Sequence, residues 1–104
     1  MIKLNLDPTF DAEVPITVPG QAEPGTIPLT FKYRGRKEYL AWLESNKEEA
    51  KTQTEVFLEF VTKWGLSEDF NPANIEIFLD QYPAAYFDII SDYSRLLFES
   101  RAKN

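Results

Sequence analysis

Hydrophobic and polar residues alternate along the first third of the chain. Ile2, Leu4 and Leu6 alternate with Lys3 and Asn5; Ala12, Val14, Ile16 and Val18 with Glu13, Pro15 and Thr17; Ile27, Leu29, Phe31 and Tyr33 with Pro28, Thr30 and Lys32. A period of two puts one side of each stretch on a core and the other in water, so three paired strands are expected between residues 2 and 33. Pro15 and Pro28 cannot donate to a ladder, so their strands are expected to lie at an edge or to begin there. The connector PGQAEPGT has the turn chemistry that joins a hairpin.

After Gly35 the period changes to that of a helix. RKEYLAWLESN sets Tyr39, Leu40 and Leu43 on one side, with Trp42 beside them. Ser45 or Asn46 is the expected cap of a second helix that runs to Trp64 and stops at Gly65. Its apolar stripe is Ala50, Thr54, Phe57, Phe60, Val61 and Trp64, with Glu48, Glu55 and Glu59 opposite. Asn71 before Pro72 reads as an N-cap followed by a proline in the first turn, opening a short helix with Ile75, Phe78 and Leu79. Pro83 is expected to open a last helix that reaches about Arg101 and carries Tyr86, Ile89, Ile90, Tyr93 and Leu97. The expected fold is α+β in a single domain, 1–104: an N-terminal three-stranded antiparallel β-sheet over 1–34, then a C-terminal bundle of about four helices over 35–104. Trp42, Phe57, Val61, Trp64, Phe78, Ile89 and Tyr93 are its expected core.

Composition narrows the chemistry. A hydrophobic content of 43% in 104 residues suits one modest core. There is no cysteine and no histidine, so disulfides, thiolate metal sites and the commonest general base are all missing. MIKLNLDPTF lacks the apolar run of a secretion signal, and no stretch is long enough to span a membrane, which together suggest a cytoplasmic protein. The net charge of -6 opposes general binding to nucleic acid. The charge is also segregated. Lys32, Arg34, Arg36 and Lys37 form a basic collar, whereas Glu38 to Asp92 holds twelve acids against three bases.

No candidate reactive site has the residues its chemistry needs. A calcium loop starting at Asp69 would need glycine at its sixth position and a bidentate glutamate at its twelfth; the chain has Asn74 and Asp80. The carboxylate pairs Glu55/Glu59, Glu76/Asp80 and Asp88/Asp92 lie opposite the apolar stripes and read as solvated helix faces. No P-loop or dinucleotide-binding turn occurs. We therefore expect no enzyme activity and no cofactor or metal.

Two features point to binding instead. On the last helix Phe87 and Phe98 fall on a second stripe, more than about 90° from Tyr93 at 100° per residue. Side chains there are candidate partner contacts. In the collar, Arg34, Arg36 and Lys37 suit either an acidic protein surface or nucleic-acid phosphates. Phe31 and Tyr33 continue the inward alternation of their strand, which favours protein over nucleic acid.

The order of segments adds a resemblance. LDPTF…VPITVPG, PLTFKYRGRKEYLAWL, an acidic helix, WGLSEDFNPANIEIFLDQYPAAYFDIISDY and a terminal RAKN together resemble one of the phage tail assembly chaperone families of long-tailed bacteriophages and prophages. The likeness spans nearly the whole chain and includes no catalytic signature. It implies a small α+β protein of the host bacterial cytoplasm that coats the tape measure protein and helps the tail tube polymerise around it. The tail tube protein and further copies of the chain are additional partners it suggests, with no nucleic acid and no membrane. Two alternatives stand beside it: a nucleic-acid-binding or host-regulatory phage protein acting through the collar 32–37, and a structural protein retained in the virion tail.

Overall fold

The computed structural model describes residues 2–99. Among them the order is β1 (Thr9–Ile16), β2 (Gly25–Lys32), α1 (Arg36–Glu48), α2 (Gln53–Phe60), β3 (Val61–Trp64), α3 (Pro72–Gln81) and α4 (Ala85–Phe98). The fold is α+β, a three-stranded antiparallel sheet in the order β1-β2-β3 with four helices. β2 is thus the central strand, not the edge strand expected from Pro28; the proline is tolerated because β3 pairs with Leu29–Phe31 and stops short of it.

β1 and β2 form the expected hairpin, with Thr9 opposite Lys32 and Ile16 opposite Gly25. Val18 O accepts from Gln21 N at 3.1 Å across Pro19-Gly20, and Gly20 has φ 78°. That geometry is a type II turn, which favours proline then glycine at its centre. Val14, Ile16, Ile27, Leu29 and Phe31 face the core, whereas Asp11, Glu13, Thr26 and Pro28 are exposed on the other side of the sheet.

The third strand differs from expectation. Residues 2–6 alternate like a strand but pair with no strand among the described residues, and Ile2 and Leu4 are 99% and 101% exposed. The sheet is completed instead by Val61–Trp64, which the helical stripe had absorbed. The helix ends at Phe60, where Val61 turns extended (φ -111°, ψ 128°), and Val61 and Trp64 then pair with Phe31 and Leu29. A free edge on β2 and two buried side chains on VTKW outweigh the helical period there. Gly65 therefore follows a strand rather than a helix, with its N–H on Pro28 O at 2.8 Å.

Local capping sets the helix boundaries. α1 runs through the expected cap at Ser45 and Asn46 to Glu48. α2 starts at Gln53 because Thr52 and Glu55 form a reciprocal capping box: Thr52 Oγ1 accepts from Glu55 N, and Glu55 Oε1 accepts from Thr52 N at 2.8 Å. α3 begins as expected, with Asn71 Oδ1 accepting from Asn74 N at 2.9 Å and Pro72 in the first turn. α4 starts at Ala85, two residues after Pro83, and runs to Phe98; its expected end near Arg101 lies outside the described residues.

The helices cover one face of the sheet, and Tyr93 sits at the centre of the core. Its ring lies 5.0 Å from Phe60, 5.2 Å from Phe31 and 5.7 Å from Trp42, centroid to centroid. Trp42, Phe57, Val61, Trp64, Phe78, Ile89 and Tyr93 are all buried, as expected.

Candidate partner-binding surface

α4 is anchored at both ends. At its start Ala85 N donates to Tyr82 O at 2.9 Å, and Asp88 Oδ2 accepts from Thr17 N at 2.8 Å, tying the first turn to the end of β1. Further along, Ala85, Ile89, Asp92 and Tyr93 form the buried face. Asp92 is 1% exposed and accepts from Arg95 at 3.0 Å. The expectation that Asp88 and Asp92 form a solvated pair is thus corrected: the first caps a backbone N–H of the sheet, and the second lies on the apolar face.

The opposite face carries the two phenylalanines. Phe87 is 61% exposed and Phe98 53%. Ser91 and Ser94 lie between them at spacings of four and three, so the four residues form one line along the helix, about 16 Å long at 1.5 Å per residue. A shallow hollow lined by Ser91, Ser94, Arg95 and Phe98 lies at the C-terminal end of this line. Phe87 touches only Tyr86 among aromatic rings, edge-on at 5.3 Å. Phe98 rests edge-on against Tyr39 of α1 at 5.1 Å, and the Tyr39 hydroxyl hydrogen-bonds Ser94 Oγ.

The collar is split. Arg34 is 7% exposed. Its guanidinium sits 4.5 Å above the Trp42 ring, and Nη1 donates to the Tyr93 hydroxyl at 3.2 Å. That hydroxyl in turn donates to Lys32 O at 2.8 Å. Arg34 therefore locks β2, α1 and α4 together and is no surface contact, because a buried guanidinium needs these partners. Arg36 and Lys37 are exposed in the first turn of α1. One turn later in the same helix comes Tyr39, the residue on which Phe98 rests. The fold thus brings the exposed part of the collar and the C-terminal aromatic towards one end of the molecule, while Phe87 lies at the other end of α4.

Behind Trp42 a second polar cluster forms. Trp42 Nε1 donates to Glu59 Oε1 at 2.7 Å, and Lys51 Nζ donates to Glu59 Oε2 at 2.8 Å. Burial pushes the Glu59 carboxyl up, but the hydrogen bonds from Lys51 and Trp42 and the charges of Lys51 and Arg34 outweigh it and hold the carboxyl below its ordinary range. Its partnership with Glu55 in a solvated pair is corrected accordingly. The stretch 69–80 spends its polar groups on structure, with Asn71 capping α3 and Asn74 Nδ2 donating to Asp69 O at 2.9 Å. Among the described residues no group of three or more acidic side chains could hold a metal ion, and no helix is long and apolar enough to cross a membrane.

One surface escaped the reading of the sequence. A groove of about 400 Å³ runs between the hairpin end and α3, lined by Ile16, Val18, Leu66, Ile77, Phe78 and Tyr82. Ile77 is 59% exposed and Leu66 37%. The signal was present in Ile77, which lies about 200° around α3 from Ile75 at 100° per residue and so cannot share its stripe. The groove exists because β3 crosses between α2 and α3, which the helical assignment of VTKW had hidden.

Comparison with known proteins places the chain. Residues 1–104 match the family described as phage tail assembly chaperone. No curated protein and no solved structure matches.

Proposed function

The chain belongs to the phage tail assembly chaperone family, a non-catalytic family, and from that premise we propose that it acts as one domain in the host cytoplasm, coating the tape measure protein and assisting polymerisation of the tail tube. The observation that supports this most is the exposed line Phe87–Ser91–Ser94–Phe98 on a helix whose other face is locked into the core. An apolar stripe on a firmly held helix suits an amphipathic helix, the form expected of a tape measure protein before it is enclosed. Arg36 and Lys37 extend the surface with charge. Cations at the start of a helix oppose its dipole, so their placement does nothing for the stability of α1. The net charge of -6 keeps a protein with such exposed aromatics dispersed.

Replacing Phe87 and Phe98 with serine tests the proposal. The double variant is expected to keep its circular dichroism spectrum and to lose co-purification with the tape measure protein on co-expression. A folded double variant that still captures the tape measure protein at the wild-type level overturns the assignment of this face.

A further inference from the structure

We propose that the segment preceding β1 is half of a strand whose other partner is a second copy of this chain, joined in a two-fold antiparallel pair centred on Pro8. The alternation of Ile2, Leu4 and Leu6 is in phase with that of Phe10, Ala12, Val14 and Ile16, so residues 2–17 form one period-two run with Lys3, Asn5, Asp7, Thr9, Asp11 and Glu13 on the other face. β2 is eight residues long and, along this run, lies beside Thr9–Ile16 alone. The first half of the run therefore has no strand beside it. In the single chain it bends at Leu4, Asn5 and Pro8, with Lys3 Nζ 3.7 Å from Asp7 Oδ1, while Ile2 and Leu4 stand fully in solvent. Pairing would straighten it and exchange that exposed ion pair for Lys3–Glu13.

The outer edge of β1 is open to receive it. β1 is terminal in the sheet. Tyr33 N donates to Pro8 O at 2.8 Å, and Pro28, opposite Glu13, turns its carbonyl away to Gly65 N at 2.8 Å. In an antiparallel ladder inward and outward groups alternate by residue, so the even positions of β1 bond to β2 and Thr9, Asp11 and Glu13 point outward. Pro8 is even, so its missing N–H falls on the side that an incoming strand does not use.

Charge selects one register. If residues opposite each other sum to sixteen, Lys3 faces Glu13, Asn5 faces Asp11 and Asp7 faces Thr9, each twice by symmetry. Ile2, Leu4 and Leu6 then face Val14, Ala12 and Phe10 on the apolar side. Sliding by two residues one way sets Asp7 against the second copy's Asp7; sliding the other way sets Asp7 against Asp11 and Lys3 against Pro15, which has no N–H. Opposed like charges destabilise a sheet pair. Beneath the joint lies a hollow of about 410 Å³ lined by Leu6, Thr9, Phe10, Tyr33, Leu96 and Leu97, which the second copy's Leu4 and Leu6 would fill. The contact is isologous and closes at a dimer.

The chain has no cysteine, so single introduced thiols report the register directly. Pro8→Cys is expected to form a disulfide-linked dimer under mild oxidation, because residue 8 meets itself at the axis, while Asp7→Cys and Thr9→Cys cross-link more slowly. In sedimentation velocity Lys3→Glu and Glu13→Lys are each expected to weaken the dimer by roughly tenfold, and the double exchange to restore it. A wild-type chain that stays monomeric at high concentration overturns the proposal, even if the tape measure protein later recruits it. So does a Pro8→Cys variant that cross-links no faster than a control thiol at exposed Ser91, or a double exchange that does not restore the dimer. None of these outcomes depends on whether Phe87 and Phe98 bind the tape measure protein.

Discussion

The Trp42 indole donates to Glu59 at 2.7 Å, and this bond joins α1 to α2 across a partly buried gap. The same carboxylate receives Lys51 at 2.8 Å, and Arg34 lies on the Trp42 ring. Removing the acceptor strands an indole N–H and weakens the hold on Lys51. Glu59→Ala is therefore expected to cost about 1–3 kcal/mol in urea denaturation at pH 7. Wild-type unfolding midpoints within error of the variant's would show that the cluster contributes nothing.

The same carboxyl makes an acid-side prediction. Its folded pKa lies below the ordinary 4.5. A depressed carboxyl contributes stability that is present above 4.5 and is lost as pH falls through the folded value. The difference in stability between wild type and Glu59→Gln is thus expected to shrink below pH 4.5. A difference that stays constant down to full protonation would contradict the charge component.

Alkaline pH probes Tyr93. Burial raises its hydroxyl above the ordinary 10.0, against the opposing pull of Arg34, and burial likewise raises Tyr86. Lys51 is raised above 10.5, chiefly by its hydrogen bond to Glu59. Each raised group contributes stability that is fully present below its unfolded value and is lost as pH rises through its folded value. Tyr93→Phe is expected to cost about 1–3 kcal/mol at pH 7, since Arg34 loses an acceptor and Lys32 O a donor. It should also lose stability less steeply than wild type above pH 10. An equal slope in both proteins would assign the alkaline loss to other groups.

The period of the side chains made most of the architecture readable. Val14, Ile16, Ile27, Leu29 and Phe31 alternate because β1 and β2 each bury one face, and Asn71-Pro72 announces α3 through its cap. VTKW was unreadable by period, because Val61 and Trp64 are spaced as well for a helix face as for a short bulged strand; only the free edge of β2 decides. The capping box at Thr52 and Glu55 is readable from its spacing, yet the acidic run Glu48-Glu49 favours a helix start six or seven residues earlier. On the candidate surface, Phe87 and Phe98 were legible because they lie off the main stripe of α4. Arg34 was not: nothing in RGRK tells which of its cations will meet Trp42 and Tyr93, residues far apart in the chain.

The capping box makes a compact prediction. Thr52→Ala removes the acceptor for Glu55 N and is expected to destabilise the fold by about 0.5–2 kcal/mol. Thr52→Ser, which keeps the hydroxyl, should retain most of that stability in thermal unfolding. Equal losses in the two variants would mean that the methyl group, not the hydroxyl, matters.

Gly65 gives the sharpest steric prediction. Its N–H bonds to Pro28 O, and a Cβ built on it would stand 2.6 Å from Pro28 Cγ and 2.8 Å from Pro28 Cβ. The obstacle is a ring held in β2 rather than the tip of a flexible chain, so it cannot swing aside. Gly65→Ala must push β3 away from β2, where Trp64 packs opposite Leu29. A loss of about 1–3 kcal/mol is expected, the usual scale of overpacking. Pro28→Ala removes Cγ but keeps Cβ, so it should relieve part of the strain. In a double-mutant cycle the two changes are expected to couple favourably by about 0.5–1.5 kcal/mol. Additive costs would mean that the chain at Gly65 yields without meeting Pro28, and that the close approach is not what requires glycine there.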